Sequence, residues 1–211
     1  MANRIDHFTI GAHDLPSGIT AMEQLMGITM PAGGKHPAMS THNCLTATGI
    51  GQFMEMIAID QQAPTPDRIR WFSLDEERTK SRLAERPRAL CWVVDTDDLE
   101  ALVANSPIDL GEIITLSRGE RTWRLTVPRD GSLGEQGLIP AFIEWSPGPH
   151  PSTVQPDLGI RLEEITLTHP KVDDLRVIFE ALAIDHLVTF KQGTLGLSFD
   201  VTTPKGLITL D

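Results

Sequence analysis

Polar side chains able to do chemistry concentrate in one short stretch of this 211-residue chain. The stretch runs from Gly33 and holds two imidazoles, two hydroxyls and an amide, on His36, His42, Ser40, Thr41 and Asn43. An imidazole titrates near neutral pH, so His36 is a candidate general base. Thr41 and Asn43 are candidate substrate-binding residues, since their side chains can hydrogen-bond a carbonyl or hydroxyl group. The alternative is a glycine-rich surface loop with exposed histidines.

Glu55 is a carboxylate inside an apolar run. Successive residues of a strand point to opposite faces, so Glu55 shares a face with Phe53 and Ile57. A carboxylate among apolar side chains is costly unless it is hydrogen-bonded or paired with a cation. Glu55 is therefore a second candidate catalytic residue, and a salt-bridged structural residue is the alternative.

Two arginines lie close together on another predicted strand. Arg121 and Arg124 flank Trp123 on alternating faces, so one arginine faces inward and the other is an ordinary surface residue. An inward guanidinium suits the carboxylate of a ligand. Both arginines are kept as candidate substrate-binding residues.

The elements that must position these groups follow one order three times: strand, helix, strand, strand, strand. In the first unit an apolar run over 5–12 is followed by Asp14, a good helix cap, and a helix that ends before Gly27. The same order returns after residue 89, with Asp98 as the cap, and more loosely after residue 162. The remaining predicted strands are 28–31, 41–48 and 52–60; then 112–117, 121–127 and 138–146; then 186–191, 194–202 and 206–210.

The repeats divide the chain into three units with one insertion. The first unit spans residues 1–62, the second 88–147, and a third, degenerate unit 160–211. Residues 63–87 form an insertion with a short predicted helix at 75–84. The fold class is α+β.

Composition excludes several classes of protein. A net charge of −11 argues against a nucleic-acid partner, because phosphate binding needs a basic face. No apolar run approaches the roughly 18 residues that a membrane span needs, and the N-terminus lacks the apolar core of a signal peptide. Two cysteines are too few for a disulfide framework. The sequence therefore predicts a cytoplasmic protein with free thiols and no membrane partner.

A spaced series of motifs carries a family resemblance over roughly residues 4–185. The motifs are Ile5-Asp6-His7, His13-Asp14-Leu15, Gly33-Gly34-Lys35-His36-Pro37, Thr41-His42-Asn43, Met54-Glu55-Met56-Ile57, Arg70-Trp71-Phe72, Trp92-Val93-Val94, Asp97-Asp98-Leu99, Arg121-Thr122-Trp123-Arg124, Gly137-Leu138-Ile139-Pro140-Ala141-Phe142-Ile143-Glu144-Trp145 and His150-Pro151. The chain resembles the vicinal oxygen chelate superfamily, and within it the bacterial glyoxalase-like domain family. The resemblance implies a cupped half-barrel of mixed sheet, built from paired βαβββ modules with flanking helices.

The resemblance also implies a set of metal positions. Carried over to this chain, they fall on His7, Glu55, Cys91 and Glu144, and the ion would be zinc, nickel, manganese or iron. Cys91 departs from the superfamily pattern and is more typical of a small buried residue. A three-ligand site of His7, Glu55 and Glu144 and a pocket without a metal both remain open, and His7 has the alternative of a hydrogen-bonded core histidine.

Two functions follow from the resemblance. The first is a small-molecule enzyme, a metal-dependent lyase, isomerase or dioxygenase acting on a small oxygen-rich substrate. The second is a metal-free protein that binds or sequesters a small ligand. Because such modules close in pairs, the third one is expected to bury its open side in a homodimer, or else to fold back on the first two.

Overall fold

The computed structural model describes residues 3–211. Over this range twelve strands form two sheets, and the chain also has four α-helices. None of the helices in this range is long and apolar enough to cross a membrane. The elements are β1 (Arg4–Gly11), α1 (Leu15–Met26), β2 (Lys35–His36), β3 (Thr41–Gly49), β4 (Gln52–Ile59), α2 (Glu77–Glu85), β5 (Arg88–Asp95), α3 (Leu99–Asn105), β6 (Glu112–Arg118), β7 (Arg121–Val127), β8 (Ala141–Trp145), β9 (Arg161–His169), α4 (Val172–Ala181), β10 (Thr189–Gln192), β11 (Gly196–Thr203) and β12 (Gly206–Leu210).

The first sheet contains the first two units side by side. Its strand order is β2-β3-β4-β1-β5-β8-β7-β6, with β1 and β5 antiparallel at the centre. In each half the first strand pairs in parallel with the last strand of its own unit, β1 with β4 and β5 with β8. Asp14 and Asp98 cap α1 and α3 by accepting the backbone N–H of Ser17 and Ala101. The predicted α+β half-barrel is confirmed.

Three predicted strand positions were wrong. In the third unit β10 begins at Thr189 rather than at 186, because Asp185–Leu187 form a 3₁₀ turn. The run at 28–31 is not a strand, although Ile28 and Met30 are buried in the core as its apolar pattern required. The second strand of the first unit is instead the short edge strand β2. Strand β8 begins at Ala141 rather than at 138, because Leu138 has helical backbone angles at the end of a 3₁₀ turn.

The two faces of the first sheet serve different purposes. We call the back face the side that carries Phe8, Met54, Trp92 and Phe142, which pack beneath α1, α3 and the third unit. We call the front face the concave side. It carries a second apolar cluster that includes Ile57, Val93, Leu125 and Ile143, with Trp71 and Phe72 from the insertion packed against them. Because strand residues alternate, neighbouring residues in one strand belong to different faces.

The third unit has the predicted order of elements but a different strand order, β10-β9-β11-β12. Its apolar side packs on the back face, where Phe199 meets Phe8 with ring centroids 5.0 Å apart and Phe179 meets Trp92 at 6.1 Å. The unit therefore folds back on the other two, and its apolar face is covered within the chain. The homodimer stays a prediction, but an uncovered apolar face of the third unit is no longer a reason for it.

Candidate active site

A cavity of about 440 Å³ opens on the front face of the first sheet. The first half of the sheet contributes a buried polar cluster, and the second half contributes apolar walls together with charged residues at the β6–β7 hairpin. The polar residues from the first half are His7, His36, Asn43 and Glu55, and the walls include Trp123, Leu125, Ile143 and Trp145. Arg118 and Arg121, at the β6–β7 hairpin, line the cavity as well.

His7 is held in the cavity by the residue before it. The pairing of β1 with β5 slips by one residue between Ile5 and His7, so Asp6 is the extra residue of a bulge. A bulge re-aims side chains that would otherwise alternate. The Asp6 Oδ1 atom lies 2.5 Å from His7 Nδ1, and the His7 ring stacks on Phe53 with centroids 4.5 Å apart. This contact places a proton on Nδ1 and directs Nε2 towards the cavity.

Asp6 is a fully buried carboxylate with three partners. Besides His7, its Oδ2 atom accepts the Trp145 indole N–H at 2.7 Å and lies 2.9 Å from His150 Nε2. Burial raises the pKa of Asp6, but the hydrogen bonds from His150 and His7 outweigh burial and lower it to about 2. Asp6 is therefore ionised throughout the neutral range, which fixes the His7 ring electrostatically.

Glu55 is buried, and its carboxylate is held by neutral donors. Its Oε1 atom accepts the Asn43 amide N–H at 2.7 Å, and its Oε2 atom accepts the Thr9 hydroxyl at 3.3 Å. His7 Nε2 lies 3.7 Å from Oε2. Among the described residues, no lysine or arginine forms an ion pair with Glu55, and the ion-pair contact it makes is the one with His7.

His36 lies at the cavity, but its setting differs from the one predicted. Its Nε2 atom accepts from Arg118 Nη2 at 2.9 Å, and Nδ1 lies 3.0 Å from Thr41 Oγ1. Burial lowers the pKa of His36 to about 4; the charge of Glu55 opposes this shift and that of Arg118 adds to it. His36 is therefore neutral at pH 7, with its Nε2 atom accepting from Arg118, and its role as a general base stays a prediction.

The structure gives Asn43 and Thr41 supporting roles. Asn43 donates to Glu55 through its amide nitrogen and accepts the Gly34 backbone N–H through Oδ1 at 2.9 Å. It also lines the cavity, as predicted. Thr41 is buried behind His36 and is not part of the cavity wall, so it acts on a ligand only through that histidine.

Of the two candidate arginines, the structure brings one to the site. Arg121 lines the cavity. Arg124 lies on the opposite face of β7 and pairs with Glu100 and with Glu144, the latter at 2.6 Å. The predicted alternation of the two arginines is thus correct, and Arg124 is the surface one.

Glu144 was misplaced by the sequence alignment of the two units. It lies on the back face, where it accepts the Leu99 backbone N–H at 2.9 Å at the start of α3. The sheet register shows why. Thr9 stands opposite Glu55, and Val93, which like Thr9 precedes a helix cap by five residues, stands opposite Ala141. The counterpart of Glu55 is therefore Ala141, three residues earlier.

Several groups at the site were not among the predicted site residues. Asp6 was missed because a bulge leaves no mark in an alternating pattern. Arg118 was missed because its role depends on an approach between distant strands. Three cavity-lining residues also carry buried polar atoms with no hydrogen-bond partner, namely Trp71 Nε1, Arg118 Nε and Gln155 Oε1. An unsatisfied buried polar atom is costly, so its presence in a cavity wall points to a ligand.

Comparison with known proteins agrees with this fold. The profile of the family described as "Glyoxalase-like domain" matches residues 5–183. The chain belongs to this glyoxalase-like family. No curated protein matches the chain.

Solved structures match the glyoxalase-like chain in fold. A hypothetical protein from Staphylococcus aureus is 13% identical, with a TM-score of 0.57 over 99% of this chain and 84% of that one. Methylmalonyl-CoA epimerase from Mycobacterium tuberculosis is 15% identical, with a TM-score of 0.43 over 69% of this chain and 89% of that one. A variant of the Streptomyces coelicolor epimerase is 13% identical, with a TM-score of 0.43 over 72% of this chain and 100% of that one. At these identities the likeness is one of fold alone.

The metal positions implied for the superfamily do not fit the donors in this glyoxalase-like chain. The four positions defined by the sheet register carry His7, Glu55, Cys91 and Ala141, and alanine has no donor atom. Burial raises the pKa of the Cys91 thiol, so it stays protonated and donor-poor. Among residues 3–211, no group of three His, Cys, Asp or Glu side chains is arranged to hold an ion. A metal site of His7, Glu55 and Glu144 stays a prediction that this donor set does not favour.

Proposed function

We propose that this protein is a glyoxalase-like enzyme that moves a proton on a small oxygen-rich substrate, as an isomerase or lyase does. Glu55 takes the proton, and His7, oriented by Asp6, is the second acid–base group. The observation that supports this proposal is the line Asp6–His7–Glu55, in which a buried carboxylate holds the far side of an imidazole facing a second carboxylate.

The contacts of these residues explain how they would work. Asp6 holds Nδ1 of His7, so His7 Nε2 faces the cavity and is the atom that would gain and return a proton. Asn43 and Thr9 fix the Glu55 carboxylate in one orientation without neutralising it. His7 Nε2 and Glu55 Oε2 are 3.7 Å apart and belong to the same cavity wall, so one substrate C–H or O–H group can reach both. Apolar walls keep the site dry, which strengthens each electrostatic interaction.

Among the three reaction types that the resemblance implies, this arrangement favours isomerase or lyase chemistry. Proton transfer next to a carbonyl needs acid–base groups in reach of the substrate, and the site has two of them. A dioxygenase would need a metal held by several protein ligands, and the counterpart positions Cys91 and Ala141 do not supply them.

Deuterium exchange tests the proposal directly. The protein is incubated in D2O with pyruvate, hydroxyacetone and dihydroxyacetone, and loss of the proton signals next to the carbonyl is followed by NMR. We expect exchange in at least one compound, reduced about 100-fold or more by Glu55→Gln and by His7→Gln. Glu144→Gln is the matched control, because it makes the same change on the back face of β8, three strands away from β4 in the sheet.

Two results would count against proton transfer. The first is exchange that Glu55→Gln leaves unchanged. The second is binding of these compounds with no exchange in any of them, which would favour the sequestering protein. The aromatic walls of the cavity support that second function, because apolar and aromatic walls are typical of sites that hold a small ligand and need no reactive group to do so. The cytoplasmic location stays a prediction.

A further inference from the structure

The cavity wall contains two N–H groups that have no hydrogen-bond partner among residues 3–211. They are Arg118 Nε and Trp71 Nε1, and both are buried. Both residues touch the same imidazole. Arg118 Nη2 donates to His36 Nε2 at 2.9 Å, and the Trp71 ring meets the His36 ring edge-on with centroids 5.0 Å apart. The two unpaired donors therefore belong to one patch of the wall, which we call the Arg118–Trp71 patch.

We propose that the Arg118–Trp71 patch binds the carboxylate of the substrate. This inference rests on the proposed function, because it names the substrate class for the same cavity. Arg118 Nη2 has two hydrogens and donates one to His36, and Nε–H has no partner among the described residues, so Nε–H and a second guanidinium N–H are available to a ligand. Two parallel N–H groups on one edge match the two oxygens of a planar carboxylate. The indole N–H of Trp71 is a third donor for the same group.

The charges around the patch agree with a bound anion. Arg118 is half-buried and Arg121 lines the same cavity, so two cations act on a ligand here, while the carboxylates of Glu55 and Glu120 line the cavity as well. The lowered pKa of His36 keeps that imidazole neutral, so it accepts a hydrogen bond from Arg118 and does not repel it. Arg118 thus keeps its full positive charge for the ligand.

The distance from the patch to Glu55 limits the length of the substrate. Contacts of 2.9, 3.4 and 2.7 Å join Arg118 Nη2, His36 Nε2, Asn43 Nδ2 and Glu55 Oε1 in turn, so the two ends lie within about 9 Å. Hydrogen bonds to the substrate at each end take about 3 Å apiece, which leaves about 3 Å between carboxylate and acidic carbon. That gap holds one or two carbon–carbon bonds. The substrate class is a small carboxylate whose acidic C–H lies one or two carbons from the carboxylate.

Gly34 provides a way to move Arg118 without changing its charge. A Cβ built on Gly34 would lie 2.3 Å from Arg118 Cζ and 2.6 Å from Nε, so Gly34→Ala must displace the guanidinium. The backbone of Gly34 has no positive φ, so alanine is not strained there. Arg118→Gln removes the charge itself. Arg124→Gln is the matched control, because it makes the same change on the back face of the neighbouring strand.

Calorimetric titration with pyruvate, with its neutral amide pyruvamide and with inorganic phosphate tests the proposal. We expect the wild type to bind pyruvate at least tenfold more tightly than pyruvamide or phosphate. Arg118→Gln and Gly34→Ala should each remove that preference, and Arg124→Gln should keep it. Circular dichroism melting shows whether each variant is folded, and Gly34→Ala remains the test if Arg118→Gln is not.

Each of three results overturns the carboxylate assignment: equal binding of pyruvate and pyruvamide, tighter binding of phosphate, or a pyruvate preference that survives in both Arg118→Gln and Gly34→Ala. Failure of the proposed function is distinguishable. A wild type that prefers pyruvate but exchanges no deuterium has the carboxylate patch without the proton transfer. Exchange of hydroxyacetone with no preference for pyruvate shows the reverse.

Discussion

The two halves of the first sheet have the same topology and opposite chemistry. In the first half, the positions that face the cavity carry His7 and Glu55; their counterparts in the second half carry Cys91 and Ala141. At these counterpart positions the second half has no ionisable group apart from a buried thiol, and its charged cavity residues, Arg118, Glu120 and Arg121, lie at the β6–β7 hairpin instead. A repeated frame thus offers two equivalent places for a reactive group, and this chain uses one of them.

The difference has a physical reason. Every ionisable group brought into a half-barrel loses hydration, and only hydrogen bonds or opposite charges offset that cost. The first half provides these partners, through Asn43 and Thr9 for Glu55 and through Asp6 for His7. Around Cys91 the neighbours are mostly apolar, with Thr9 and the charge of Glu55 as the polar influences. A carboxylate at Ala141 would have no comparable set of donors.

The largest expected effect comes from breaking the first half at Asp6. Asp6→Asn removes a buried charge that holds His7, His150 and Trp145. The amide has one oxygen where the carboxylate has two, so it cannot accept hydrogen bonds from all three. We expect a loss of about 3 kcal/mol in the free energy of unfolding, measured by urea denaturation, together with the loss of deuterium exchange. Asp98→Asn, which keeps a good helix cap, should change stability by less than about 0.5 kcal/mol.

The next effect is the pH dependence that His36 gives to the first half. Its pKa is lowered from 6.5 to about 4, so the unfolded chain takes up the proton first as the pH falls. The contribution of His36 to the free energy of unfolding is therefore fully present above pH 6.5. It falls by up to about 3 kcal/mol as the pH approaches 4. His36→Gln should show a shallower decline over the same range in urea titrations at each pH. Identical slopes would show that His36 does not control this decline.

A third test supplies the second half with the groups it lacks. Cys91→His with Ala141→Glu fills the two counterpart positions with donors. We expect zinc, nickel or manganese to raise the melting temperature of this double variant by about 5 °C, and to leave the chelator-treated wild type unchanged. A rise in the wild type that disappears in both His7→Ala and Glu55→Ala would instead support the metal site first predicted.

The smallest expected effect comes from the back face of the second half. Arg124→Gln breaks partly exposed ion pairs with Glu100 and Glu144. Pairs of this kind contribute at most about 1 kcal/mol, and we expect a change near 0.5 kcal/mol in urea denaturation with no change in deuterium exchange. A large loss of exchange in this variant would show that the two faces are not functionally separate.

Much of this fold could be predicted from the sequence because its signals are local. The helix caps at Asp14 and Asp98 are side-chain features of single residues, and alternation alone put Glu55 on the cavity face. Glu144 was misassigned because its place depends on register, and a 3₁₀ turn at Leu138 shifts the start of β8. Asp6 and Arg118 depend on a bulge and on contact between distant strands, which neither composition nor spacing reveals.

The contact between Arg118 and His36 joins the two edge strands, β6 and β2, across the mouth of the cup. It is a hydrogen bond between side chains, whereas every other neighbouring pair in the sheet shares a backbone ladder. Breaking the contact between Arg118 and His36 takes far less free energy than separating two strands of a backbone ladder. Strands β1 and β5, at the centre of the sheet, are buried on both faces. Backbone amide hydrogens should therefore exchange slowly in the central strands β1 and β5 and quickly in the edge strands β2 and β6. The reactive groups then stay fixed while the mouth of the cavity opens and closes.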